Sequence, residues 1–216
     1  VQEALEGYDV TYREASTPLT EPEMLAALQD YDGVLPTLGD RFSAAVFSGV
    51  DAPRCKILAN FGVGYNHIDV DAARQAGVQV SNTPGAVTDA TADIAMTLML
   101  MTARRAGEGE RLVRSGNWTG WEPSQLLGMH LTGKTVGIVG MGRIGQAVAR
   151  RCHFGFEMDV KYFSRSAKSL PFKAEHVSDL KALAGAVDVL VVAVPGGDDT
   201  HHLINAAILA AMQPHG

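Results

Sequence analysis

The sequence predicts an α/β fold with two parallel-sheet domains. Short apolar runs alternate with helical patterns along the first 81 residues, and a second series of the same kind begins near Thr132. Such alternation is typical of parallel sheets, because each return to the next strand needs a crossover, usually a helix. Between the two series, residues 82–85 (NTPG) break the pattern. We therefore expect domains at residues 1–82 and 132–216, joined by residues 83–131.

In the first domain, strands and helices follow one another at short spacing, and Gly77 ends one of the helices. Predicted strands cover residues 8–13, 33–35, 56–60 and 78–81, and predicted helical segments cover residues 21–29, 43–47 and 70–76.

A long apolar helix is predicted after the break. Thr88 or Asp89 can cap it, and it runs to about Arg105 with apolar side chains on nearly every side. Such a helix must be covered all round, so we expect it to pack beneath both domains. The alternative is a core helix of one continuous domain. The polar segment 106–130, with its two tryptophans, is typical of an arm that embraces a partner subunit or of a long solvent loop.

The second domain opens on the most informative motif of the chain. The apolar run 135–139 leads into GMGRIG, with Gly140, Gly142 and Gly145, and then into a helix. In this context Gly140 permits a tight turn, Gly142 lets backbone approach a pyrophosphate, and Gly145 allows the helix to pack closely on the strand. Free N–H groups at the helix start would face the anion. The motif therefore predicts a dinucleotide site in a Rossmann-like domain.

The rest of this domain holds two further predicted strands, at residues 159–163 and 187–194, a short helix capped by Ser178, and a helix from Asn205 to about Met212. Three strands are half of the six in a complete doubly wound sheet. Because such an edge would leave backbone groups unpaired, we expect the natural protein to continue beyond this half-sheet.

The residues after the second strand of this domain predict which dinucleotide binds. Enzymes that select NAD usually place Asp or Glu about 20 residues after the glycines, on the ribose 2′-hydroxyl. Here the strand is followed by Ser164, Arg165 and Ser166, without a carboxylate. A guanidinium pairs with a phosphate in a fork geometry, so we predict NADP(H). The alternative is that Arg165 is an ordinary solvated charge.

Composition excludes several classes of protein. The chain has 216 residues, 46% of them hydrophobic, and a formal net charge of −6 without a basic block, which argues against nucleic-acid binding. The longest apolar stretch, 94–103, is far below the roughly 20 residues that a membrane span needs. Cys55 and Cys152 are far apart and in no zinc-ligand spacing, so we expect no metal and two reduced core thiols in a cytoplasmic protein.

Four segments together resemble the D-isomer-specific 2-hydroxyacid dehydrogenases, particularly the glyoxylate and hydroxypyruvate reductases. The segments are residues 60–69 (NFGVGYNHID), 82–93 (NTPG followed by VTDATAD), 140–145 (GMGRIG) and 194–200 (VPGG followed by Thr200). The likeness covers almost the whole chain, and it implies a flavodoxin-like substrate domain beside an NAD(P)-binding domain, both incomplete in this chain.

The resemblance implies site residues one by one. The amides of Val63 and Gly64 would bind the substrate carboxylate, and Trp121 would reach the partner subunit's substrate pocket in a homodimer. The residues that the resemblance and the phosphate pattern assign to the cofactor are Thr91, Gly140, Gly142, Arg143, Ile144, Gly145, Ser164, Arg165, Ser166, Val194, Pro195, Gly196 and Thr200.

The catalytic groups of the family are expected elsewhere. Its arginine, glutamate and histidine lie in motifs that would follow Gly216, and no histidine within the chain has the context of a substitute; His67 is followed by Asp69, which is as easily a helix cap. We expect NADPH-dependent reduction of glyoxylate, hydroxypyruvate or a similar 2-keto acid. The alternatives are a nucleotide-sensing binding protein without catalysis, and an NAD-dependent relative such as a formate or phosphoglycerate dehydrogenase.

Overall fold

A computed structural model describes residues 3–212 of the chain. The chain divides into two compact units, Val1–Pro84 and Gly85–Gly216. Each unit contains a sheet in which every strand pair is parallel. The α/β class with two parallel sheets is therefore confirmed.

The first unit is a three-stranded sheet with helical crossovers. Its elements are α1 (Glu21–Asp30), β1 (Gly33–Val34), α2 (Ala44–Ser48), β2 (Ile57–Ala59), α3 (Val70–Gln75) and β3 (Gln79–Ser81). The strands lie in the order β1-β2-β3, so their carboxyl ends share one edge. The core beneath them is apolar, with Leu28, Phe42 and Leu58 fully buried.

Two helix starts show how the sequence determines these elements. Thr20 and Glu23 form a capping box at α1: the Thr20 backbone N–H donates to the Glu23 carboxylate over 2.7 Å. At α3, the Asp69 carboxylate accepts a hydrogen bond from the Ala72 N–H over 2.9 Å. Such caps satisfy backbone donors that have no partner within the helix. The helix-cap role weighed for Asp69 is therefore confirmed.

The prediction of a strand over residues 8–13 is wrong. This segment belongs to neither sheet of the described chain, and Tyr8 and Tyr12 are 75% and 70% exposed. Its alternating pattern suits a strand, but a strand also needs a neighbour to accept its backbone hydrogen bonds.

The second unit begins with two helices, α4 (Thr88–Ala103) and α5 (Ala106–Arg114). The residue at the cap of α4 is Val87, without a side-chain bond, so the predicted caps Thr88 and Asp89 are wrong. Asp89 instead pairs with Arg151 over 3.0 Å. The helix α5 lies within the predicted arm and was not predicted.

Within the described chain, only one face of α4 is covered. One face is buried, with Met96 and Met99 in the core, but Ile94 and Leu98 on the other face are 61% and 59% exposed. After α5 the chain returns to the end of α4, where the Met129 N–H donates to the Ala103 carbonyl over 2.8 Å.

The remaining elements of this unit are β4 (Thr135–Val139), α6 (Arg143–Phe156), β5 (Asp159–Phe163), β6 (Glu175–His176), α7 (Leu180–Gly185), β7 (Val189–Val192) and α8 (Ala206–Ala211). The strand order is β6-β5-β4-β7, so β4 lies between β5 and β7. Ligands of open α/β sheets bind at the carboxyl edge where the strand order reverses, which here lies between the ends of β4 and β7.

Three details of this unit correct the sequence predictions. The described sheet has four strands rather than three. The additional strand, β6, consists of two polar residues that pair with β5, and no apolar pattern in the sequence predicts it. The strand β7 is shorter than residues 187–194. Asp179 rather than Ser178 caps α7, since its carboxylate accepts the Ala182 N–H over 2.6 Å. The predicted cap Asn205 is confirmed, accepting from two N–H groups of α8.

Two further expectations can be compared with the structure. Cys55 and Cys152 are both free and buried, and burial raises the pKa of the Cys152 thiol to about 11. Among residues 3–212, helices long and apolar enough to cross a membrane are absent. The predicted second domain extends to residue 216, and its last four residues lie outside the described part of the chain.

Candidate functional site

Each of the three glycines of GMGRIG suits its position for a different geometric reason. Gly140 directly follows β4 and has a φ of +97°, and a Cβ added there would lie 2.7 Å from the Ala193 carbonyl oxygen. A Cβ on Gly145 would lie 2.1 Å from the Gly140 carbonyl oxygen, so α6 packs directly on the loop. Around Gly142 nothing described lies within 4 Å of the Cβ position. The middle glycine therefore leaves open space where a ligand could approach the backbone.

The start of α6 supplies donors to this open space. Gly142 is the N-cap and has no side chain, so the first N–H groups of α6, including those of Arg143 and Ile144, have no capping partner. A helix of 14 residues also carries partial positive charge at this end. Residues 140–145 can thus hold a pyrophosphate through backbone N–H groups and the helix dipole.

The loop after β7 borders the same glycines. Val194 Cγ1 lies 2.8 Å from the Cβ position of Gly140, and the Thr200 hydroxyl donates to the Pro195 carbonyl over 2.6 Å. This bond closes the turn that contains Gly196. The structure therefore brings residues 194–196 to the glycine loop, with Thr200 shaping the turn.

Beyond β5 the chain forms a polar turn rich in cations. The Ser164 hydroxyl donates to the Ser166 carbonyl over 2.6 Å, and the Lys168 ammonium donates to the Ser166 hydroxyl over 3.1 Å. Two aromatic residues brace the turn: the Tyr162 hydroxyl accepts the Lys168 N–H over 2.8 Å, and His176 Nε2 lies 3.0 Å from the Ser164 carbonyl. The turn is thus preorganised by its own side chains.

Arg165 stands exposed on this turn, and its guanidinium has no carboxylate partner among residues 3–212. Glu175 is the acidic residue nearest in sequence on the C-terminal side, and its carboxylate is paired with Lys161 over 2.7 Å. Arg165 and Lys168 therefore offer positive charge and hydrogen-bond donors to an anion.

In the first unit, Val63 and Gly64 lie in the loop after β2. Buried Asn60, 1% exposed, follows the last residue of that strand, and its Nδ2 donates to the carbonyls of Gly62 and Gly64 over 3.0 and 2.9 Å. Asn82 follows β3 and donates from Nδ2 to the Val63 carbonyl over 2.9 Å. Side-chain amides thus bind three consecutive carbonyls of this loop.

His67 completes this group. Its Nε2 lies 3.0 Å from Asn60 Oδ1, and because Asn60 Nδ2 faces two carbonyls, Oδ1 must be the acceptor and Nε2 carries a hydrogen. Burial lowers the pKa of His67, against a smaller opposing effect of Asp40. Sequence reasoning missed Asn60 and Asn82. A usable signal was present, since each amide follows directly the carboxyl end of a parallel strand, where ligand sites form.

The two remaining predicted residues, Thr91 and Trp121, make no hydrogen bond to these groups in the described chain. Thr91 is exposed in the first turn of α4, and its hydroxyl makes no hydrogen bond within the described chain. Trp121 is 80% exposed, in the segment after α5. Histidine, cysteine and acidic side chains gather nowhere between residues 3 and 212 in a group of three that could hold a metal.

Comparison with known proteins gives this arrangement a family. The profile of the "D-isomer specific 2-hydroxyacid dehydrogenase, NAD binding domain" matches residues 96–216, more than half of the chain. The chain belongs to this dehydrogenase family. The resemblance inferred from the four sequence segments is therefore confirmed, and the second unit corresponds to a domain that binds a nicotinamide dinucleotide.

Individual relatives support the assignment to the 2-hydroxyacid dehydrogenases. A glyoxylate reductase from Pyrococcus furiosus is 41% identical over 97% of this chain and 63% of its own length. A glycerate dehydrogenase from Hyphomicrobium methylovorum is 36% identical over 99% and 66%. The crystal structure of a glyoxylate reductase from Paecilomyes thermophila superposes with a TM-score of 0.81 at 32% identity, covering 98% of this chain and 66% of that one. The chain thus spans about two thirds of these proteins.

Proposed function

We propose that the protein containing this chain reduces a small 2-keto acid, such as glyoxylate or hydroxypyruvate, with NADPH. The family and the relatives named glyoxylate reductase and glycerate dehydrogenase support the reaction class. The bound nicotinamide supplies the hydride. In this proposal, residues of this chain bind the cofactor's phosphates and hold the substrate carboxylate.

The turn after β5 is the observation that carries the choice of NADPH. The Arg165 guanidinium is exposed without a carboxylate partner in the described chain, and Ser164, Ser166 and Lys168 add donors around it. A 2′-phosphate satisfies these groups, whereas a 2′-hydroxyl would leave the cations unpaired.

Fluorescence titration of the full-length protein with NADPH and NADH tests this choice. We expect NADPH to bind more tightly, and Arg165→Asp to weaken NADPH binding about 10- to 100-fold, because a charge-assisted hydrogen bond is lost and a like charge gained. The binding of NADH should change much less.

Lys173→Asp is the matched control, since Lys173 is an exposed cation between β5 and β6 outside this turn. It should leave the ratio of the two dissociation constants near that of the wild type. Equal binding of NADH and NADPH, unchanged by Arg165→Asp, would show that the chain does not select the phosphate.

The loop of residues 62–64 supports a carboxylate-bearing substrate. Gly62 and Gly64 on either side of Val63 let an anion approach the backbone closely. Steady-state assays with glyoxylate and hydroxypyruvate, following NADPH oxidation, test the reaction. Tight NADPH binding without turnover of any 2-keto acid would instead favour a nucleotide-sensing protein.

We further propose a homodimer in which exposed apolar residues of the second unit meet a second copy. Ile94, Leu98 and Met101 lie at helical spacing on one exposed face of α4, and Trp121 is exposed in the segment that follows α5. Large exposed apolar groups close together mark interaction surfaces. Trp121 would then contribute to the partner's substrate pocket, as the family resemblance implies. The two reduced thiols are consistent with the proposed cytoplasmic location.

A further inference from the structure

The loop of residues 62–64 is held by the side chains of three polar residues, Asn60, Asn82 and His67. Asn60 is buried, yet all of its side-chain polar atoms are used: Nδ2 donates to the Gly62 and Gly64 carbonyls, and Oδ1 accepts from His67. A buried amide with every partner in place has one favourable orientation, because turning it over would set Oδ1 against two carbonyl oxygens.

The carbonyls that these amides bind determine where the N–H groups point. In a trans peptide the carbonyl and the following N–H are antiparallel within one plane. The Gly62 carbonyl shares its plane with the Val63 N–H, and the Val63 carbonyl shares its plane with the Gly64 N–H. By binding the Gly62 carbonyl, Asn60 therefore directs the Val63 N–H away from itself. By binding the Val63 carbonyl, Asn82 directs the Gly64 N–H away in the same manner.

The N–H groups so directed are available to a ligand. Neither Val63 N–H nor Gly64 N–H has an acceptor in the described chain, while the Thr83 N–H adds a second donor to the Gly62 carbonyl over 3.1 Å. The loop is thus held from its carbonyl side and open on its N–H side.

We propose that Asn60 and Asn82, with His67 orienting Asn60, are positioning residues that prearrange the backbone N–H groups of Val63 and Gly64 for the substrate carboxylate. This inference rests on the proposed function, because it takes the ligand to be a 2-keto acid. Prearranged donors bind an anion without the cost of ordering the loop first. Asn60 and Asn82 act through the backbone and do not themselves contact substrate.

The test uses Asn60→Asp and Asn82→Ala in the full-length enzyme. Asn60→Asp keeps the shape of the side chain but replaces the donor by a carboxylate oxygen facing two carbonyls. We expect the KM for glyoxylate to rise on the order of 10- to 100-fold with a smaller change in kcat, because the displaced donors bind the ground state and the transition state alike. The dissociation constant for NADPH should stay within about twofold of the wild type, a result that general unfolding would not give.

Asn66→Ala is the control. Asn66 is exposed in the same loop, and its side chain makes no hydrogen bond in the described chain, so this variant removes an amide from the loop without removing a contact to a carbonyl and without adding a charge. Its KM should remain near that of the wild type. Asn82 is only partly buried, so Asn82→Ala keeps the test open if Asn60→Asp does not fold.

Calorimetric titration with oxamate, a carboxylate that cannot be reduced by hydride transfer at a keto group, separates this inference from the proposed function. Loss of oxamate binding in both variants supports the positioning role even if the wild type turns over no 2-keto acid, which would overturn the proposed reaction alone. Unchanged oxamate binding and unchanged KM in the folded variants would overturn the positioning role. Absence of both oxamate binding and turnover in the wild type would overturn both proposals.

Discussion

Gly145 lies in the first turn of α6, where the backbone of the preceding loop leaves no room for a side chain. A methyl group there would meet the Gly140 carbonyl oxygen at 2.1 Å, and a backbone atom cannot move aside as a flexible side chain can. We expect Gly145→Ala to lower the free energy of unfolding by about 2–4 kcal/mol and to weaken cofactor binding, because α6 must shift away from β4. Urea denaturation measures the first effect.

Gly155, in the last turn of the same helix, is the matched control. Nothing described lies within 4 Å of its Cβ position, so Gly155→Ala should raise the free energy of unfolding by about 0.5–1 kcal/mol through helix propensity alone. A similar loss of stability in both variants would mean that the close contact at Gly145 is not the cause.

His67 gives stability a dependence on pH. Burial lowers its pKa in the folded protein, so below about pH 6.5 the unfolded chain takes up the proton more readily and unfolding is favoured. The contribution is complete above the unfolded pKa and is lost as the pH falls toward the lowered folded value. We expect the stability difference between wild type and His67→Asn to change between about pH 7 and pH 5 in urea titrations. A difference that stays constant across this range would contradict the lowered pKa.

At the scale of elements, Asp188 connects β4 with the start of β7. Its carboxylate accepts the Thr135 N–H over 2.8 Å and pairs with Lys134 over 3.1 Å. The hydrogen bond from Thr135, followed by that from Lys134, lowers the pKa of Asp188. This stabilisation is present above the unfolded pKa of about 3.9 and disappears as the pH falls through the lower folded value.

Asp188→Asn should therefore be less stable than the wild type at pH 7, and the difference should vanish in strong acid, as followed by thermal unfolding. Asp159→Asn is the control, because the Asp159 carboxylate at the start of β5 has no partner in the described chain. A stability difference for Asp188→Asn that persists at about pH 2 would contradict the ionic origin of the effect.

At the scale of the whole molecule, formation of the proposed dimer depends on the exposed face of α4. Leu98→Glu should convert the full-length protein to a monomer in sedimentation velocity, because a buried unpaired charge at the interface is costly. Leu209→Glu is the control, since Leu209 is equally exposed, at 58%, on α8. A wild type that is monomeric at micromolar concentration would contradict the dimer.

Sequence patterns predicted elements best where the local signal was complete. The strands β4 and β5 were predicted residue for residue, because β4 is an apolar run and β5 alternates polar and apolar side chains at its start, and the Asn205 cap was recognised from residue type alone. Residues 8–13 were wrongly predicted as a strand, and the polar strand β6 was missed. In both cases strand formation depends on a neighbouring strand that the local sequence does not reveal.

The sequence by itself determined the fold class, the family and the glycine motif, because periodicity and glycine spacing are local properties of the chain. Only the tertiary structure decided that α4 is half exposed, that Asp89 pairs with Arg151 rather than capping a helix, and that Asn60 and Asn82 meet at one loop. Asn60 and Asn82 are 22 positions apart, and the parallel pairing of β2 with β3 brings their carboxyl ends to the same edge. Contacts of this kind depend on which strands become neighbours, and no local pattern encodes that.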